Sequence, residues 1–274
     1  MKISKVLSVG IILLASGTVL FSNVGCQTDD FSGTSVKKYS PDVATAWIDM
    51  QRKLLVGTEG ILPHVAGRTY AYMGLTMYES IVPGMEDYQS IAPQLNGDPT
   101  FPVVRQAKEY HWPASANAAL AFMLKRLLPH TTPELLKSVD SLEADFYSKF
   151  QTDADAEILQ RSADFGKQIA MAIFEWSKTD GGHEAYKNPF SDTYVPPTGP
   201  GQWESTGEFP FDRPVYPYWG DNRTFIPGLA DATQPPPPPL YSEEPGSDFH
   251  NAVDEIYTLS VSYTHLTLPT ILRV

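Results

Sequence analysis

The sequence predicts an all-α fold, and three observations support this class. Apolar residues recur at spacings of three and four in five segments between residues 40 and 178, which is the period of an amphipathic helix. No segment alternates apolar and polar residues with the period of two that is typical of a half-buried strand. No internal repeat of about 20–50 residues occurs. We therefore expect a helical bundle rather than a sheet or a repeat array.

The first two predicted helices have clear start and stop signals. Residues 40–42 read Ser-Pro-Asp, which supplies a capping hydroxyl, a proline for the first turn and an acid at the positive end of the helix dipole. The apolar stripe that follows ends at Gly57. A second helix is expected from Pro63 to Val82, and a proline-containing loop from Met85 to His111.

Three further helices follow this loop. An alanine-rich helix is expected from Trp112 to Leu128, and the Thr-Pro-Glu sequence at 132–134 begins the next one. The fifth helix is expected from Asp153 to Lys178, with acids at its start and Gly181-Gly182 after its end. Its predicted core face consists of Ile158, Phe165, Ile169, Ile173 and Trp176.

The segment from His183 to Tyr241 has no apolar period. It is rich in aromatic residues and prolines, whereas a flexible linker is rich in glycine and serine. We therefore expect a long loop that wraps around the bundle. One more helix is predicted after Ser247.

The amino terminus has the plan of a secretory leader. Lys2 and Lys5 precede an apolar run over residues 6–21, and the chain's single cysteine, Cys26, follows shortly after it. This arrangement resembles a bacterial lipoprotein signal, with residues 1–25 as signal peptide and 26–40 as a flexible acidic tether. We expect lipid at Cys26 and a cell-envelope location; the alternative is an ordinary signal peptide with a chance cysteine.

The carboxyl terminus differs in composition from the rest of the chain. Acidic residues occur as far as Glu255, but Arg273 is the only formal charge from Ile256 onward. A strand is one interpretation of residues 261–270, because β-branched residues and threonines are frequent there. The same residues resemble the translation of a sequencing-library adapter. We therefore expect the helical region to be 41–260, truncated, and residues 261–274 to be a non-native tail.

Composition excludes several classes of function. Twenty basic residues against 32 acidic ones give a net charge of −12, so the chain lacks the basic surface that nucleic acids require and we expect no nucleic-acid partner. A single cysteine excludes an internal disulfide and a thiolate zinc cluster. Phosphate-binding loops, nucleophile elbows and His-Glu-x-x-His motifs are missing from the sequence, and its six histidines have no metal-ligand spacing. We expect no metal site.

Five polar residues are candidates for a pocket or for a structural network. Arg68 and Glu79 share one helix with Tyr72, either as a buried polar anchor or in a catalytic role. His183 follows a Gly-Gly pair, where it is either an acid/base group or a residue beside a helix cap. Arg213 and Arg223 lie in the aromatic segment, where they bind an anion or pair with acids. These alternatives remain open from the sequence alone.

Several separate segments together resemble the amino-terminal part of bacterial, Bacteroidetes-type vanadium-dependent haloperoxidase-like lipoproteins. These belong to the type 2 phosphatidic acid phosphatase superfamily. The matching segments are 47–52, 60–63, 66–79 (Ala-Gly-Arg-Thr-Tyr-Ala-Tyr-Met-Gly-Leu-Thr-Met-Tyr-Glu), 83–85, 88–90, 110–113 with 117–119, and 180–184 (Asp-Gly-Gly-His-Glu). The resemblance covers residues 42–257. It implies an all-helical fold of paired bundles with one oxyanion pocket for vanadate or a phosphoryl group.

The resemblance also implies where the catalytic residues lie. The family's motifs are a lysine followed after six residues by Arg-Pro, then Pro-Ser-Gly-His, then an arginine with a histidine six positions on. None is present here: Arg213-Pro214 has Thr206 in place of the lysine, and Gly182-His183 lacks the preceding Pro-Ser. We expect these motifs downstream of this chain, which then holds no catalytic residue and binds no cofactor by itself.

The resemblance leaves three hypotheses for the parent protein. It implies a haloperoxidase that oxidises halide with hydrogen peroxide and uses vanadate, with small molecules as substrates. The first alternative is a phosphomonoesterase with the same pocket. The second is a surface lipoprotein, outside the enzyme class, that binds glycans or proteins through the aromatic segment. In each case we expect an outer-membrane lipoprotein that is attached through its lipid, with exposure at the cell surface left open.

Overall fold

The computed structural model describes residues 35–207 and 212–271, with side chains as far as Ser260. The expected leader, Cys26 and most of the tether lie outside these residues. Five long helices form the bundle, followed by a short helix and a final long one. Their bounds are α1 Asp42–Gly57, α2 Pro63–Ile81, α3 Trp112–Leu127, α4 Pro133–Phe150, α5 Ala156–Ser177, α6 Leu229–Ala232 and α7 Asp248–Ile271.

The all-α prediction is confirmed. Within the described residues there is no β-strand, and a single isolated bridge joins Phe190 to Val215. Helix α4 starts as predicted, since Thr132 Oγ1 accepts from the Leu135 N–H at 3.3 Å. At α1 the N-cap position is Pro41, one residue after the predicted Ser40, although Ser40 Oγ accepts from the Asp42 N–H at 3.2 Å. The fifth helix begins at Ala156, later than predicted, with Asp155 as its capping residue.

Helix α3 occupies the centre of the bundle. It packs against α1, α2, α4 and α5, and its small residues are buried on all sides, as expected of a core helix. The closest approach is to α5 at Gly166, where a Cβ atom would lie 2.0 Å from the Ser115 carbonyl oxygen. Only glycine therefore permits this contact.

The core face of α5 agrees with the predicted stripe in its central part. Phe165, Ile169 and Ile173 are buried, whereas Ile158 and Trp176 are half-buried. Several buried polar groups in the bundle are paired between elements. Trp47 Nε1, for example, donates to Asn117 Oδ1 at 2.9 Å. Such pairing is expected, because a buried polar group without a partner costs free energy.

The aromatic segment packs on the bundle along part of its length. Phe225 lies against Tyr72 and Trp176, with ring centres 4.8 and 5.2 Å apart. Tyr216 contacts His64 on α2, with ring centres 5.3 Å apart. Other parts are exposed, among them Val195, Trp203, Pro235–Pro239 and Leu240. Tyr186 stacks on His130, with ring centres 3.6 Å apart. The wrapping interpretation therefore describes residues near 186 and 216–225 better than the remainder.

Helix α7 stands apart in its exposure. Val253, Ile256 and Tyr257 are 52%, 70% and 68% exposed, and Phe249 at its start contacts the Tyr241 ring. Its backbone continues as a helix across the predicted boundary at residue 260. Among the described residues, no helix has both the length and the apolar character that a membrane crossing requires.

Candidate functional site

A buried ion pair joins α2 to the turn after α5. Arg68 Nε lies 2.7 Å from Asp180 Oδ2, and Arg68 Nη2 lies 3.2 Å from Asp180 Oδ1. The same Nη2 donates to the Ser177 carbonyl oxygen at 2.6 Å. Both side chains are 10% exposed or less. This two-point geometry is the one that a guanidinium prefers with a carboxylate.

Two further donors complete the shell of Asp180. The Tyr72 hydroxyl donates to Oδ2 at 2.8 Å, and the Gly182 N–H donates to Oδ1 at 2.8 Å. Burial, together with the adjacent Asp180 charge, raises the pKa of Tyr72 well above its usual value. Tyr72 therefore stays a neutral phenol that donates, and the carboxylate is fully hydrogen-bonded.

The turn after α5 favours glycine at positions 181 and 182 for steric reasons. Gly181 has φ +93°, and a Cβ atom there would lie 2.5 Å from Asn222 Oδ1. A Cβ atom at Gly182 would lie 3.0 Å from Arg68 Cδ. The carbonyl oxygen of Asp180 accepts from the Arg223 N–H at 2.8 Å. The turn thus brings the aromatic segment against the end of α5.

Arg223 fastens this junction from the other side. Its Nη1 donates to the Asn96 carbonyl oxygen at 3.0 Å and its Nη2 to the Trp176 carbonyl oxygen at 2.8 Å. The guanidinium also lies over the Trp176 ring, 4.0 Å from the ring centre. The Arg223 guanidinium is therefore bound by two backbone carbonyl oxygens and one aromatic face. The sequence alone had left open whether it binds an anion or pairs with an acid.

The remaining three candidates do not converge with Arg68 on one point. Arg213 Nη1 lies 2.9 Å from Asp192 Oδ1 at an exposed position. Glu79 is 2% exposed and its Oε1 accepts from the Ile91 N–H at 2.9 Å, while burial raises its pKa. His183 packs edge-on against Phe174, and burial lowers its pKa.

The donor set at this junction does not fit a bound vanadate. An oxyanion requires several cationic and amide donors that converge on one open point. Here Arg68 and Arg223 donate to Asp180 and to backbone carbonyls, and Arg213 faces a carboxylate of its own. No group of three or more potential metal ligands occurs in the described part of the chain. The junction is a structural anchor of the fold.

Sequence reasoning found both halves of this anchor without pairing them. Arg68 with Tyr72 and the 180–184 segment stood out separately, but the charged partners are 112 positions apart in sequence and no pattern indicated their contact. It missed Asn96, whose carbonyl oxygen accepts from Arg223 and from Trp176 Nε1. It also missed His111, a buried residue that caps α3 and lines a cleft. The sequence signal that could have identified His111 is its position directly before Trp112-Pro113 at the start of a predicted helix.

A solved structure resembles this fold. The crystal structure described as that of the first bacterial vanadium-dependent iodoperoxidase matches 82% of this chain with 27% identity and a TM-score of 0.66. The fold is haloperoxidase-like. The match covers 52% of the iodoperoxidase, so this chain spans about half of that protein's length. No protein-family model and no curated protein matches the chain.

Proposed function

We propose that the protein is the amino-terminal scaffold of a vanadium-dependent haloperoxidase. The supporting observation is the match to the iodoperoxidase over 82% of this chain but only 52% of the other. The proposed overall reaction combines halide, hydrogen peroxide and a proton to give hypohalous acid and water. Two electrons pass from the halide to the peroxide oxygens, and substrates are small molecules.

In this proposal the described residues shape the fold and do not carry the chemistry. The anchor of Arg68, Asp180 and Tyr72 fixes α2 against the end of α5, and Arg223 fixes the aromatic segment to the same place. Vanadate, if the parent protein uses it, would be held by residues outside the described part. The helical bundle then serves as a rigid support on which the catalytic region packs.

An activity assay tests the proposal. This chain is expected to show no iodide or bromide oxidation with peroxide and vanadate, and no hydrolysis of a generic phosphomonoester. The same assays on the gene product extended at its carboxyl end are expected to show vanadate-dependent halide oxidation. Phosphomonoester hydrolysis without halide oxidation would favour the phosphatase alternative.

The variant His183→Ala supplies the control for the placement of the site. Turnover by the present chain that disappears in this variant would show that His183 is catalytic and would overturn the proposal. If the extended product has neither activity, the surface-binding alternative is favoured instead.

We also propose that Cys26 is lipidated and anchors the protein to the cell envelope, at the outer membrane. The support is the position of the single cysteine after the charged and apolar leader. Incorporation of labelled palmitate in a bacterial host is expected for the natural sequence and not for Cys26→Ser. Equal incorporation in both would refute lipidation at this residue.

A further inference from the structure

A cleft lies where the start of α1, the start of α3 and the end of α4 meet. Its volume is about 530 Å³, which is within the range of pockets that hold small molecules. We call it the acidic cleft. The residues that define it are Asp42, Asp49, His111, Lys149, Phe150 and Asp153.

His111 lines this cleft and has one unpaired hydrogen-bond donor. Its side chain is 2% exposed, and its Nδ1 accepts from the Ala114 N–H at 3.2 Å, which caps α3. Because Nδ1 accepts, the neutral ring carries its proton on Nε2. Nε2 is buried and has no hydrogen-bond partner. Because the helix end occupies Nδ1, Nε2 is the ring nitrogen that still lacks a hydrogen-bond acceptor.

The charge of the cleft favours a cation. Three aspartates line it against a single lysine. Among the described residues, no cation lies within ion-pair distance of Asp42 or Asp153, and the contact of Asp49 with Arg52 is exposed and 3.6 Å long. Lys149 lies over the Phe146 ring, 5.1 Å from its centre. Two carboxylates are therefore available to a ligand.

Aromatic rings form the wall around His111. Its ring centre lies 5.0 Å from that of Tyr39, edge-on, and 4.7 Å from that of Phe150. Aromatic faces attract ammonium groups and the carbon atoms next to them. The cleft thus combines a negative rim, an aromatic wall and one buried N–H donor.

We propose that the acidic cleft binds a small organic cation that also carries a hydroxyl oxygen, which is the amino-alcohol class. The ammonium group faces Asp42 and Asp153, and the hydroxyl oxygen accepts from His111 Nε2–H. The alkyl carbons contact Phe150. The negative rim disfavours a phosphorylated amino alcohol, so the ligand is the free form. This site is independent of the haloperoxidase proposal.

A ligand series tests each part of this recognition. The chain is titrated with ethanolamine while the imidazole ¹⁵N signals of His111 are followed by NMR. Saturable binding is expected. Propylamine lacks the acceptor and is expected to bind about two- to tenfold more weakly, as for one lost hydrogen bond. Ethylene glycol, glycolate and phosphoethanolamine lack a net positive charge and are expected to give no saturable shift.

Variants of the rim test the electrostatic part. Asp42→Asn and Asp153→Asn are each expected to weaken ethanolamine binding about two- to fivefold, as for partly exposed pairs. Lys149→Gln removes the competing cation and is expected to strengthen binding. The matched control is Asp145→Asn, an exposed aspartate on α4 outside the cleft lining, which is expected to change nothing.

The variant His111→Asn tests the donor. Asparagine is also a good helix cap, so α3 is expected to stay folded while Nε2–H is lost. Ethanolamine and propylamine should then bind equally. No saturation with the natural chain would overturn the proposal. Equal affinity of the natural chain for both amines would show a non-specific acidic surface and would overturn it as well. If circular dichroism shows that His111→Asn is unfolded, the ligand series and the rim variants decide whether the proposal holds.

Discussion

The α1–α5 bundle and the aromatic segment from His183 to Tyr241 use the same kinds of residue to different effect. In the bundle, aromatic and aliphatic side chains are buried around α3, and some polar groups, such as Trp47 and Asn117, pair across helices. In the segment, aromatic residues touch the bundle at a few places, and many others are exposed, including Trp203 and Tyr218. The bundle is stabilised by continuous apolar contact, whereas the segment is fastened at points.

The fastening points are concentrated around the end of α5. Arg223 and Phe225 both lie against Trp176, and the Asp180 turn joins them to Arg68. Prolines elsewhere in the segment cannot donate backbone hydrogen bonds, so few regular contacts are available to it. The comparison indicates that stability depends on where an aromatic residue is placed and little on how many the chain has.

The largest expected effect separates a bundle aromatic from a segment aromatic. Phe165 is 5% exposed, so Phe165→Ala is expected to destabilise the fold by about 3–5 kcal/mol through lost burial and a cavity. Trp176→Ala is expected in the same range. Trp203 is 48% exposed, and Trp203→Ala should stay within about 0.5 kcal/mol. Urea denaturation measures all three; similar losses for Phe165 and Trp203 would break the comparison.

The second prediction compares a buried ion pair with an exposed one. Asp180→Ala leaves the Arg68 charge and the Tyr72 hydroxyl without their shared acceptor, which is expected to cost about 3 kcal/mol. Asp192→Ala breaks the exposed pair with Arg213 and should cost less than about 1 kcal/mol. Equal costs in denaturant melts would mean that the Asp180 turn is not an anchor.

A smaller effect depends on pH. Burial lowers the pKa of His111 below its usual value, with Asp153 opposing in part, so the native state favours the neutral ring. Below about pH 6.5 the unfolded chain binds a proton that the native chain does not. Stability should therefore fall as pH decreases through this range and stay level above it.

The variant His111→Asn is expected to reduce this slope. Burial also lowers the pKa of His130 and His183, so part of the slope should remain. Melting temperatures between pH 7.5 and pH 5 measure it. An identical slope in the variant would show that His111 titrates alike in both states.

The smallest expected effect concerns the tail. Deleting residues 261–274 is expected to leave the melting temperature within a few degrees, because the side chains of α7 up to Ser260 are mostly exposed. A large decrease, measured by thermal circular dichroism, would show that the predicted tail contributes to packing. The expectation of a foreign tail would then be wrong.

Much of the bundle was predictable because its signals are local. Proline and threonine near helix starts, and apolar residues at helical spacing, identify α1 to α5. The start of α5 at Ala156 was less predictable, because acids at 153 and 155 suit both a first turn and the residues before it. Local patterns thus predicted which helices exist better than where they begin.

The candidate site was less predictable because its contacts are distant in sequence. Gly181-Gly182 was expected to end a helix, yet its geometry depends on Asn222 and Arg68, which come from two other parts of the chain. Arg223 remained open between anion binding and pairing, and it binds backbone carbonyls instead. Because every residue has a backbone carbonyl oxygen, no sequence pattern predicts which of them binds Arg223.

That choice of partner has a consequence for sequence variation. Arg223 reaches the main-chain oxygens of Asn96 and Trp176, and every amino acid provides such an oxygen. Other residue types at position 96 can therefore keep the hydrogen bond to Arg223, provided that the local backbone conformation is unchanged. Position 223 has no such freedom, since lysine offers a single ammonium in place of the two-armed guanidinium. We therefore expect this contact to tolerate substitutions at position 96 but not at position 223.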